Sequence, residues 1–248
     1  MERVEYHRMA TLEDTMWWYR ALHAGLVDRL GPAGATGGLP AGGWLLDAGC
    51  GTGGLLARLK AARPDLTLFG LEFDPEAAAI AAAKTGLPVQ TGSVNALPFD
   101  DGAFDAVVSA DVLCHAGVDQ TAALAEFRRC LKPGGLLLLN LPAYQWMASA
   151  HDRHVHNVRR YTAGQARHLV QEAGFGPVAC GYWNSLLFPL MLLHRLMAGQ
   201  DEAASDVRPF PAWQESLFTA VTAAERRLAR HGLRLPFGGS VWVEARTS

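Results

Sequence analysis

The residues best placed by type and spacing to do chemistry stand in LLDAGCGTGG, Leu45–Gly54. Two leucines end in Asp47, and Gly49, Gly51, Gly53 and Gly54 then form a turn almost free of side chains, where a ligand can reach the backbone. Leu55, Leu56 and Leu59 resume at helical spacing, so the glycines lie where a strand hands over to a helix, as in a nucleotide pocket. Gly49, Gly51 and Gly54 satisfy the G-x-G-x-x-G spacing of dinucleotide turns, with Glu72 after the next apolar run as a ribose-binding acid. Asp47 argues for a different ligand. A carboxylate there opposes a pyrophosphate and suits the ammonium of an amino-acid-bearing nucleoside, so the cofactor is expected to be cationic.

A second constellation occupies residues 140–162, with Tyr144, His151, His154 and His156 beside Asn140, Arg153, Arg159, Arg160 and Tyr161. Imidazoles titrate where a proton must leave an acceptor near neutral pH, and arginines recognise a carboxylate or phosphate on a substrate. His154 or His156 is expected as base, His151 and Tyr144 next, and His115 as an alternative from the other side. For His115 the competing reading is that it caps or packs its local helix. The run H-D-x-x-H-x-H matches no specific metal motif, so proton transfer, anion recognition or loop organisation is preferred to a metal.

Positioning these groups takes alternating strands and helices. Apolar runs predict strands at 44–48, 66–71, 88–91, 104–109, 136–139, 177–182 and 240–245, with helices at 53–62, 75–84, 121–130, 165–173 and 213–228. The four leucines at 136–139 show no polar alternation, as in a strand covered on both faces. Open sheets of this kind collect ligands outside the carboxyl ends of their strands, where Ala110, Asp111 and His115 fall.

LDAGCGTG at Leu46–Gly53, GLEFDP at Gly70–Pro75, LPFDDGAFDAVVSADVLCH at Leu97–His115 and FRRCLKPGGLLLLNLPAY at Phe127–Tyr144 together resemble a class I S-adenosylmethionine-dependent methyltransferase of the type 11 kind. The resemblance implies an α/β fold: a three-layer, Rossmann-like, seven-stranded mixed sheet with its last strand antiparallel, an N-terminal helical cap and a helical insertion before that strand. It implies S-adenosylmethionine as cofactor, held by Asp47, Gly49, Cys50, Gly51, Thr52 and Gly53. By the same resemblance Glu72 binds the ribose hydroxyls, Phe73 lies beside the adenine, Ser93 stands where the family often has an acid, and Val94 and Ala110 complete the site. The implied reaction is methyl transfer to O, N or C with acid–base help from residues 144–161. A non-catalytic nucleotide-binding or interaction protein and an NAD-dependent oxidoreductase are the alternatives.

The 248 residues are half hydrophobic with a formal charge of −2, a globular composition with no basic excess for a nucleic-acid backbone. Cys50, Cys114, Cys130 and Cys180 are widely spaced and the N-terminus has no apolar targeting core, which reads as cytoplasmic. One domain, 1–248, is expected: a helical cap at 1–30, a flexible connection at 31–43, a core at 44–183, a helical lid or interaction region at 184–239, and the last strand and tail at 240–248. Trp17, Trp18 and Tyr19 are expected to wall an acceptor pocket as well as pack. The leucine-rich stretch 186–193 is too short to span a bilayer. It reads as a lid or dimer contact, with peripheral membrane contact through 184–198 as the other reading. A small or amphipathic acceptor is therefore expected.

Overall fold

The computed structural model describes residues 3–31, 38–197 and 210–248, without the side chains of 3–5, 8, 150, 151 and 194–197. Residues 32–37 of the connection expected at 31–43 lie outside the described residues. Two helices, α1 (Arg3–Leu12) and α2 (Trp17–Arg29), precede the alternation β1 (Trp44–Ala48), α3 (Gly54–Ala62), β2 (Thr67–Glu72), α4 (Pro75–Thr85), β3 (Val89–Thr91), β4 (Phe104–Ala110), α5 (Gln120–Cys130) and β5 (Leu131–Pro142). Then come α6 (Ala150–His154), α7 (Ala163–Glu172), β6 (Val178–Trp183), α8 (Phe188–Met197), α9 (Ala212–Arg230) and β7 (Ser240–Arg246). The seven strands make one sheet in the order β3-β2-β1-β4-β5-β7-β6. β1 runs parallel to β2 and β4, and β7 antiparallel to both β5 and β6. The sheet is therefore mixed, with its chain reversal at β7.

Helix boundaries follow local chemistry. Asp74 caps α4 by accepting from Glu76 N and Ala77 N ahead of Pro75, and Gly86 ends it in the left-handed region. Asp119 caps α5 in the same way, and Thr162 with Gln165 forms a capping box at α7. β5 starts earlier than the leucine run alone suggests: Leu131 pairs with Phe104, the register then shifts across Lys132–Gly135, and Leu136 pairs with Ala106. The Pro-Gly-Gly segment is thus an irregularity within the strand rather than a loop before it.

The pleat divides the core into two layers. Leu45, Leu68, Val108, Leu136 and Leu138 pack toward α2 and α3 through Leu22, Leu26, Leu56 and Leu59. Their neighbours Leu46, Leu71, Val107, Leu137 and Leu139 pack the other way, toward Leu124 and Phe127 of α5 and Val170 of α7. A third cluster joins the N-terminal cap to the insertion: Met16, Trp17 and Leu187 pack with Phe210, Phe218 and Val221. Glu215 ties the insertion to the cap, accepting from Trp17 N at 2.6 Å, and Glu225 ties the insertion to itself, accepting from Ser185 N and Leu186 N. The cap and insertion therefore form one roof over the carboxyl edge of the sheet.

Candidate functional site

Under that roof a cavity of about 920 Å³ reaches from the glycine turn to the insertion. Gly49 N and Cys50 N both donate to Leu71 O, which folds the turn against β2. Gly49 adopts a φ of 90°, and a Cβ there would collide with Val112 Cγ2, so both backbone and space demand glycine. Asp47, at the end of β1, is buried, and its Oδ2 has no hydrogen-bond partner among the described residues. Burial, then Glu72 and Glu13, push its carboxyl up to about 8. Glu72 accepts from Gly51 N at 2.9 Å, from Tyr6 Oη at 3.1 Å and from Asp74 N at 3.1 Å. The neighbouring Cys50 thiol is pushed up by burial and by Asp47, and so stays protonated.

Of the predicted cofactor set, Asp47, Gly49, Cys50, Gly51, Glu72, Phe73, Ser93, Val94 and Ala110 line the cavity. Phe73 is 75% exposed, a ring face offered to the opening. Thr52 and Gly53 do not line it. Thr52 is buried and donates to Glu13 at 2.7 Å, while Gly53 starts α3 with a φ of 88° against Ala81. They brace the turn from behind, because the helix start needs a capping acceptor and close packing there.

At the acceptor end, Trp17, Trp18 and Tyr19 line the cavity, joined by Leu187, Leu190 and Met191 from the insertion. His115 and His156 also line it. Burial pulls His115 down to about 4, against carbonyls of Val155 and Asp111 that face its ring, so it is uncharged at neutral pH. His154 and Tyr144 lie outside the cavity lining. Tyr144 instead stacks on Trp146 and Tyr182, at 5.4 Å from each, and burial with a bond to Tyr182 raises its pKa. The side chain of His151 lies outside the described residues.

The basic stretch folds back on the protein instead of offering a row of cations. Arg160 lines the cavity but holds buried Asp152 through two bonds of 3.0 and 2.9 Å. Arg159 donates to the carbonyls of Leu113, His115 and Val118, and Tyr161 Oη donates to Leu113 O at 2.9 Å. Arg153 is exposed and outside the lining. Asn140 lies behind the lining and donates to Asp111. Buried carbonyls and a buried carboxylate need these donors, and that internal demand displaces the predicted anion site. Among the described residues no three His, Cys, Asp or Glu side chains gather as a metal site would require.

Three groups escaped the sequence reading, and a fourth, Asp111, was placed at the ligand edge without a role. Tyr6 and Met9 of α1 reach the turn, and a Cβ on Gly51 would lie 2.6 Å from Met9 Cε. Glu13 is buried, accepting from Gly54 N at 3.1 Å at the start of α3 and pairing with Lys84 at 2.8 Å. Asp111 lines the cavity with a φ of 55°. Only Asp111 carried a sequence signal, as the acid directly after the fourth strand. The other three depend on how α1 and the turn after it fold over the sheet.

Residues 46–139 match the family model described as a methyltransferase domain. Demethylmenaquinone methyltransferase of Thermus thermophilus is 41% identical over 104 residues, covering 40% of this chain and 47% of that protein. 24-Methylenesterol C-methyltransferase 2 of Oryza sativa is 32% identical over 173 residues, covering 57% of this chain and 46% of that protein. The chain thus spans about half the length of these curated relatives. The solved structure of an S-adenosylmethionine-dependent methyltransferase from Thermotoga maritima overlays with a TM-score of 0.62, covering 98% of this chain and 95% of that one at 19% identity.

Proposed function

We propose that this chain, whose residues 46–139 match a methyltransferase-domain model and whose fold overlays a solved S-adenosylmethionine-dependent methyltransferase, is a class I enzyme of that kind and transfers a methyl group to a small or amphipathic acceptor held beneath the helical roof. The observation that carries the cofactor end of this reading is Asp47: a buried carboxylate left one hydrogen bond short, on a turn that only glycine can make. Buried polar atoms are rarely left unpaired, and a ligand ammonium would supply the missing partner. Glu72 would hold the ribose, with Phe73, Ser93 and Val94 about the base. S-adenosylmethionine, when bound, supplies an electrophilic methyl group on a positively charged sulfur.

The remaining work falls to this chain's residues. The roof helices exclude water and fix the acceptor, and orientation alone can contribute much of the rate. The aromatic wall of Trp17, Trp18 and Tyr19 favours a flat or apolar body. The names of the two curated relatives, which carry demethylmenaquinone and 24-methylenesterol, lend support to an acceptor of that amphipathic kind. Exposed Leu186, Leu190 and Leu193 at the rim suit entry of such a molecule, from solution or from a membrane surface. Among the described residues no helix is long and apolar enough to cross a membrane. Four free cysteines suit a cytoplasmic setting.

Isothermal titration with S-adenosylmethionine, S-adenosylhomocysteine and NAD tests the reading, with uptake of the first two expected. Tight NAD binding without either would replace it with the oxidoreductase alternative. Binding without transfer of labelled methyl to any of a panel of amphipathic acceptors would favour a non-catalytic protein.

A further inference from the structure

The strand ends beside the cavity carry a polar chain that the proposed cofactor contacts do not include. Asp111 follows β4 in the left-handed region, a conformation that costs a non-glycine residue and persists only where the surroundings impose it. Its Oδ2 accepts from Asn140 Nδ2 at 2.9 Å, and Asn140 Oδ1 accepts from Trp183 Nε1 at 2.7 Å. An indole N–H can only donate, so the Asn140 amide has one orientation, with its NH2 toward the carboxylate. The backbone repeats the link, Asp111 N donating to Asn140 O at 2.8 Å. Val112, the next residue, packs on Gly49, so Asp111 rides on backbone that abuts the cradle.

We propose, resting on the methyl-transfer reading, that Asp111 is the catalytic base that takes the proton of an acceptor hydroxyl, and that Asn140 and Trp183 are positioning residues that aim its carboxylate at the acceptor. Trp183 of β6 thus holds Asn140 of β5, which in turn holds one carboxylate oxygen of the residue that follows β4. A neutral amine or a thiolate can attack without first losing a proton, whereas a hydroxyl gains from a base; a half-buried carboxylate lining the cavity therefore points to a hydroxyl. In the step, a lone pair on the hydroxyl oxygen forms the new O–C bond while the methyl–sulfur bond breaks with its pair left on sulfur. The O–H pair stays on oxygen, and the proton passes to Asp111 and then to water.

The other predicted bases are less well matched. His115 is pulled down to about 4, His154 and Tyr144 lie outside the cavity lining, and His156 lines it but is exposed to solvent. Asp111 is pushed up to about 7 by burial, against the Asn140 bond and the charge of Arg160, with Asp152 adding to the rise. Cys114, whose Sγ lies 3.1 Å from Asp111 O, and the uncharged His115 are its other titratable neighbours. A carboxylate so placed changes protonation near neutral pH, where a base is most effective.

The test compares binding of 2-naphthol and naphthalene by fluorescence titration from pH 5 to 9, with and without S-adenosylhomocysteine. The wild type is expected to bind the naphthol about tenfold tighter than the hydrocarbon, with the preference growing as pH rises through about 7. Asp111→Ala should abolish the preference, and Asp111→Asn should remove its pH dependence. Asn140→Ala should move the midpoint to higher pH, because a donor that favours the charged carboxylate is gone, and Trp183→Phe should shrink the preference. Both should leave naphthalene binding unchanged, a pattern that general loosening would not give. Equal binding of the two probes to the wild type, a full preference in Asp111→Ala, or a wild-type midpoint in Asn140→Ala would overturn the proposal. Uptake of S-adenosylhomocysteine by the same samples reports separately on the methyl-transfer reading.

Discussion

Replacing Asp47 by Asn should stabilise the cofactor-free protein while weakening its hold on S-adenosylmethionine. The carboxyl is pushed from its ordinary value near 3.8 up to about 8. An acid whose pKa is raised by folding binds its proton more tightly when folded. Below about pH 4 both states are protonated and the site costs nothing; as pH rises toward 8 the unfolded chain ionises first, and stability is lost. At pH 7 the gap is about three pH units, worth ~4 kcal/mol at ~1.4 kcal/mol per unit. The asparagine NH2 would in turn lack a partner where Oδ2 lacks one now, a cost of ~1–3 kcal/mol. A net gain of ~1–3 kcal/mol at pH 7 follows, shrinking to nothing or reversing by pH 5. Urea unfolding of the ligand-free protein at both pH values measures it, and calorimetry should show affinity for S-adenosylmethionine at least tenfold weaker. A variant less stable than the wild type by the same amount at both pH values, or one that binds the cofactor unchanged, would refute the reasoning.

Gly49→Ala should cost ~1–3 kcal/mol in chemical unfolding and abolish cofactor uptake, since its left-handed backbone and the contact with Val112 leave no room for a methyl group. Arg160→Ala should destabilise by ~3–5 kcal/mol by leaving Asp152 buried without its partner. The double change Arg160→Leu with Asp152→Leu should recover much of that loss, which an anion-binding role for Arg160 does not predict. Glu13→Ala should lower stability by ~1–3 kcal/mol in a thermal melt, through loss of the Gly54 N cap and of the acceptor for the buried Thr52 hydroxyl, while Lys84 keeps its pair with Asp14.

The sheet was readable because its signals are local. LDAGCGTG marks a strand passing into a helix, Asp74 with Pro75 and Thr162 with Gln165 announce helix starts, and four consecutive leucines cannot face water on either side. Asp47 and Glu72 were readable for the same reason, each being the polar residue that ends a buried run. The stretch from Asn140 to Thr162 was not. Arginine and tyrosine suit a substrate and a buried carbonyl equally well, and the choice depends on partners such as Leu113 and Val118 that lie more than forty positions away in Arg159's case. The left-handed turn at Asp111 has no marker in residue type, and Glu13 is one acid among several until α1 and the turn after it close over α3.

These differences point to a physical criterion for which polar residues belong to the reaction. Arg159, Arg160, Asp152 and Tyr161 have donors and acceptors matched within the protein, so each repays its own burial and needs no ligand. Asp47 lacks a partner, Asp111 sits in a costly backbone region, and Gly49 can carry no side chain. Folding alone gives no return on those three features, and in each case the cost falls beside the same cavity. Costs retained together at one place are what ligand binding can offset. It follows that the same saturating concentration of cofactor should raise the stability of the wild type more than that of Asp47→Asn, by at least ~1.4 kcal/mol for a tenfold difference in affinity, because only the former offers the ligand ammonium a carboxylate.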